Sequence, residues 1–167
     1  MHFEKYYRLL LISAVIVALD QITKSIILNS LELYHEIRII PGFFHITHAH
    51  NPGGAFGFLA NQSPAVRVVV FLFVSILALG FILYFYHKTP ETHKLLAAGF
   101  ALIFGGAVGN LIDRVRFGTV VDFLSFYIPV IPLKLFNPWP TFNVADSAIT
   151  IGMSVFVYHI LAKKMPD

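Results

Sequence analysis

Hydrophobic positions in this chain fall into four long runs rather than alternating patterns or narrow helical stripes. They cover Leu9–Leu28, Val66–Tyr86, Leu95–Ile112 and Val144–Ala162, each close to the roughly 20 residues that a helix needs to cross a bilayer. Four transmembrane helices are therefore predicted. The first run follows Lys5 and Arg8 as a cleavable leader would, yet it continues past leader length without a small-x-small cleavage motif. It reads as a retained span. A short basic linker, His87–Lys94, joins the second and third runs, and the other two connections are long. In the first long loop, Ile37–Ile40 and Phe43–Thr47 are β-branched and aromatic stretches either side of Pro41-Gly42, a pattern that predicts a small hairpin. Asn51-Pro52-Gly53-Gly54 then marks a turn before the short apolar stretch Ala55–Ala60. The second long loop, Asp113–Asn143, holds four prolines (Pro129, Pro132, Pro138, Pro140), and Trp139 lies near the fourth run. Aromatic residues at that level suit the headgroup interface.

Composition supports a membrane protein. The chain is 57% hydrophobic and 13% charged with a mean hydropathy of +0.74, and residues 1–167 read as a single domain. The absence of cysteine excludes a disulfide scaffold, a zinc–thiolate site and a cysteine nucleophile. A net charge of +3 from scattered basic residues argues against nucleic-acid binding. An even number of crossings puts both termini on one side, and the density of Lys5, Arg8, Lys88, Lys94, Lys163 and Lys164 assigns that side to the cytoplasm. Both long loops then face outward.

Charge is scarce here, and an ionisable group near lipid is by default a functional hypothesis. Asp113, Asp122 and Asp146 lie in N-L-I-D-R, V-V-D-F and N-V-A-D-S, while Asp20 falls inside the first run with Lys24 one turn on. Ala97, Ala101, Gly105, Gly109 and Asp113 form a four-residue repeat that lets helices approach closely and ends in a carboxylate. Asp146, Thr150, Ser154 and Tyr158 form a polar stripe on the fourth run. Two carboxylates meeting at the membrane surface could share one proton and hydrolyse a peptide bond. Each aspartate also has an ordinary role: capping for Asp146, an ion pair with Arg114 for Asp113, an i,i+4 pair with Lys24 for Asp20, and a solvated loop position for Asp122. By spacing alone, four aspartates compete for two catalytic roles.

Other chemistries are weaker. His45, His48 and His50 are close in sequence, and His48 and His50 would share a strand face, but there is no H-E-x-x-H and no nearby carboxylate base. No serine sits in a G-x-S-x-G elbow. A pore or carrier would want polar residues along the length of several helices, whereas here they gather at one membrane face; a non-enzymatic carrier or assembly factor stays as the rival class.

Five blocks in order resemble bacterial lipoprotein signal peptidase (signal peptidase II), an aspartic peptidase family. They are Asp20-Gln21-x-Thr23-Lys24, Asn51-x-Gly53-x-Ala55-Phe56-Gly57, Gly109-Asn110-Leu111-Ile112-Asp113-Arg114, Val120-Val121-Asp122-Phe123 and Phe142-Asn143-Val144-Ala145-Asp146-Ser147. Gly54 departs from the family's usual alanine. The resemblance implies a membrane α-helical fold of four helices with a small extracytoplasmic β-cradle, and a short interfacial helix at Ala55–Ala60. It implies Asp122 and Asp146 as the catalytic pair, substrate-side roles for Asn51, Asn110, Arg114 and Asn143, and structural roles for Asp20, Lys24 and Asp113. The substrate implied is a diacylglyceryl-modified prolipoprotein, cut just before the lipidated cysteine. The remaining expectations are a globomycin-sensitive monomer of the bacterial inner membrane that contacts phospholipid and needs no cofactor.

Overall fold

The computed structural model describes residues 2–53, 62–128 and 139–162. In chain order these form α1 (His2–Ser30), β1 (Glu36–Ile40), β2 (Phe44–Asn51), α2 (Pro64–Lys88), α3 (Lys94–Phe117), β3 (Val120–Phe126) and α4 (Val144–Leu161). The expected interfacial helix at Ala55–Ala60, Gly54, and the prolines from Pro129 to Pro138 lie outside the described residues.

All four helices are long and apolar enough to cross a membrane. α2 is apolar around its whole circumference and leaves Val69, Phe73, Ile76, Leu77 and Phe81 exposed, the surface of a helix whose solvent is lipid. Pro64 opens it, where a missing amide costs nothing, and the Ser63 hydroxyl accepts from the amide of Val66. α3 is the central helix and packs against α1, α2 and α4. Small residues make this possible. Gly105 lies against the backbone of Ser13 on α1, and Gly106 lies against the carbonyl of Ala145 on α4. The Ser13 hydroxyl donates across the first contact to the carbonyl of Ala101 at 3.1 Å.

One apolar cluster, Leu9, Tyr86, Leu96, Phe100, Ala101 and Ile103, joins α1, α2 and α3 at the end away from the sheet. There the buried Lys5 ammonium donates to the carbonyls of His87 and Thr89 at the end of α2, at 2.8 and 2.6 Å. A second cluster, Ile27, Val121 and Phe123, seats the sheet on the other end of the bundle.

The sheet is antiparallel, in the order β1-β2-β3. The predicted hairpin is present, with Gly42 at positive φ (74°) in its turn. The stretch read as the start of the second long loop is regular structure: α3 runs five residues past Ile112, and β3 follows almost at once. Gly118, in the left-handed region at φ 72°, makes that reversal.

Candidate active site

Three local features converge on the C-terminal end of α3. First, β3 pairs with β2 so that Ala49 faces Asp122 and Asn51 faces Val120. Asn51 and Asp122 are therefore diagonal neighbours on one face, and the Asn51 amide donates to Asp122 Oδ2 at 3.0 Å. Second, the segment before α4 is stitched to β3: Phe142 and Leu124 exchange backbone hydrogen bonds of 3.1 and 2.8 Å. Third, this delivers Asn143, the N-cap of α4, beside Asp122. Asn143 Nδ2 donates to Asp122 Oδ1 at 2.8 Å, while its Oδ1 accepts from the Asp146 amide at 2.9 Å.

Asp146 completes a capping box, because its Oδ2 accepts from the Asn143 backbone at 3.2 Å. Its other oxygen accepts from Asn110 Nδ2 at 2.8 Å. Asn110 and Asn143 are joined in turn, Nδ2 of Asn143 donating to Oδ1 of Asn110 at 3.1 Å. Each of the four carboxylate oxygens of Asp122 and Asp146 thus takes one amide hydrogen bond, and linked asparagines tie the two residues together. Asp122 is buried, and burial pushes its carboxyl up to about 7. The neighbouring Asp146 charge pushes the same way, and the Asn51 and Asn143 amides partly offset both.

Asp20 and Asp113 are held differently. Both sit 2.8 Å from the buried Lys24 ammonium, and each also accepts a backbone amide from an element that carries the other pair. Asp20 Oδ1 takes Ala145 N, and Asp113 Oδ2 takes Val121 N, each at 3.0 Å. Those amides immediately precede Asp146 and Asp122. Lys24 also donates to Asn110 Oδ1 at 3.0 Å, which fixes that amide's orientation, with its nitrogen toward Asp146. Gln21 braces the cluster by donating to Asp113 at 2.9 Å and to Asp20 at 3.2 Å.

The ion pair expected between Asp113 and Arg114 is not formed; Asp113 pairs with Lys24 instead. Consecutive helical residues point in different directions. The Arg114 guanidinium lies over the Phe71 ring at 5.9 Å and donates to the Asn110 carbonyl at 3.4 Å. Asp122, read as open to a solvated-loop role, lies buried in a strand. For Asp146 the capping role is real and coexists with its place beside Asp122. The bracing role of Gln21 is not evident from the sequence, where its one signal is a polar side chain next to Asp20 on a span.

Residues 12–162 match the family model for signal peptidase (SPase) II. The lipoprotein signal peptidase of Desulforapulum autotrophicum is 54% identical over 167 residues, covering 100% of this chain and 99% of that protein. The lipoprotein signal peptidase of Geobacter sulfurreducens is 45% identical over 87% of this chain and 86% of its own length. A bacterial membrane enzyme solved at 2.3 Å resolution superposes with a TM-score of 0.79 at 33% identity, covering 93% of this chain and 88% of that one.

Proposed function

The chain belongs to the signal peptidase II family, and we propose that it acts as an aspartic peptidase with Asp122 and Asp146 as its catalytic pair. It is a multi-pass membrane peptidase that removes signal peptides from lipoproteins. The finer reading is that its substrate carries diacylglycerol on a cysteine and is cut just before that residue, at the outer face of the bacterial inner membrane, with both termini in the cytoplasm. The enzyme works as a monomer among phospholipids, with no metal or cofactor in the mechanism.

The observation that carries the catalytic assignment is the contrast between the two pairs of aspartates. Asp20 and Asp113 share the Lys24 ammonium as an ion-pair partner, whereas Asp122 and Asp146 are held by neutral amides. A buried and a half-buried carboxylate with no ion-pair partner of their own retain one proton between them. The ionised member takes a proton from water, which attacks the scissile carbonyl. The protonated member donates to the developing oxyanion, and a proton then passes to the leaving amine. Asp122, held up at about 7, is suited to carry the proton near neutral pH. Asn51, Asn110 and Asn143 orient the pair, and Arg114 supplies a donor at its edge for the substrate backbone.

The test is cleavage of a diacylglyceryl-modified precursor by purified protein and by Asp122→Asn and Asp146→Asn. Each variant is expected to stay membrane-inserted and to lose about 10²–10⁴-fold in rate. The unlipidated precursor should be cleaved poorly, and globomycin should inhibit. Near-parent activity in either variant removes that residue from the pair, and efficient cleavage without lipid refutes the substrate reading.

A further inference from the structure

The face of β2 opposite Asn51 carries His48 and His50, which strand alternation puts on the same side. Their Nε2 atoms are 3.2 Å apart and their ring centroids 5.2 Å apart. The outer nitrogens of both rings are engaged: His48 Nδ1 contacts the carbonyl of Leu31 at 2.8 Å, and His50 Nδ1 contacts the Thr119 hydroxyl at 3.0 Å. A carbonyl only accepts, so His48 Nδ1 carries a proton and its Nε2 presents a lone pair.

We propose that His48 and His50 form a two-nitrogen binding site for a divalent cation of the zinc class. A tetrahedral ion with zinc–nitrogen bonds of about 2.0–2.1 Å holds two ligand nitrogens about 3.3–3.4 Å apart, within a few tenths of an ångström of the separation seen here. Imidazole ligands of metals characteristically donate their other N–H to a carbonyl or similar acceptor, and both rings already have such a partner. For His50 the change required is small. Without an ion its Nε2–H bonds His48 and its Nδ1 accepts from Thr119; with one, the proton sits on Nδ1 and is donated to the Thr119 oxygen. The neutral pair therefore takes up the cation without releasing a proton.

Among the described residues no group of three or more histidines and carboxylates converges, so water completes the coordination shell and the ion exchanges readily. His45 is not part of the site, because its Nδ1 is turned to Glu36 at 3.0 Å. The site is separate from the catalytic reading, although His50 adjoins Asn51, the residue that holds Asp122.

The experiment is equilibrium dialysis of untagged, chelator-stripped full-length protein in detergent against Zn²⁺, with His48→Gln, His50→Gln and His45→Gln beside the parent. The remaining histidines give the same background in each. The parent and His45→Gln are expected to bind about one zinc more than His50→Gln and His48→Gln, whose affinity at this site falls at least about tenfold. Co²⁺ should give a visible absorption band in the parent that is lost in His50→Gln. If the parent binds no more zinc than His50→Gln, the two rings make a hydrogen bond only and the proposal fails. It fails equally if His45→Gln loses as much as His50→Gln. Should His48→Gln not fold, His50→Gln decides alone, because His50 is only half-buried.

Discussion

Asp122 is subject to opposing influences, of which those that raise its carboxyl prevail. Burial and the charge of Asp146 favour its protonated form, while the amides of Asn51 and Asn143 and the more distant Lys24 favour the ionised one. The balance, at about 7, sets a pH limb. The pair loses its last proton as pH rises through that value, so cleavage should decline above it; the limb belongs to the pair rather than to one residue. Asn51→Ala removes a donor that favours the charged form, so its limb should move up by about one pH unit, the equivalent of one hydrogen bond to a charged group. A profile of kcat/KM against pH for parent and variant checks both expectations; an unmoved limb would mean that the Asn51 contact does not act on Asp122. Little of this was legible in the sequence. The four aspartates differ in what reaches them across the fold, and Lys24 reaches Asp113 from 89 positions away in the chain.

Elements were more legible than residues. The four spans and the first hairpin follow from hydropathy and from Pro41-Gly42. What the pattern hid was the end of α3 and the start of β3. Asp113, Arg114 and Arg116 make Ile112 look like a boundary, but Asp113 pairs with Lys24 and α3 continues to Phe117. β3 reads as part of a proline-rich loop because its pairing partner, β2, is remote in sequence. The interface between α3 and α4 gives the element-scale prediction. A Cβ on Gly106 would collide with the Ala145 carbonyl and with Ile149, forcing α4, and Asp146 with it, away from Asn110. Gly106→Ala should therefore cost about 1–3 kcal/mol, as overpacking does, and lower the cleavage rate. Gly80→Ala on α2, where a Cβ meets nothing within 4 Å, should leave both unchanged. Unfolding in mixed detergent and a cleavage assay on the two variants make the comparison.

At the scale of the whole molecule, Lys24 is the point through which α1, α3, β3 and α4 are joined. It contacts Asp20, Asp113 and Asn110, and the two aspartates hold the backbones of α4 and β3. Lys24→Met strands two buried carboxylates and should destabilise the protein by about 3–5 kcal/mol. Adding Asp20→Asn and Asp113→Asn neutralises them and should restore much of the stability, read as the detergent-denaturation midpoint. The hydrogen bond from Ala145 to Asp20 spans 125 residues, linking the first helix of the chain to the last, and this has a consequence for synthesis. Helices emerge from the ribosome in order, and α1 can enter the membrane early because Asp20 and Lys24 already neutralise one another within a single turn. Asp146 arrives only with α4. Until α4 is made the nascent chain holds at most one carboxylate of the proposed pair, so on that reading it should not cut neighbouring precursors before its own insertion is complete.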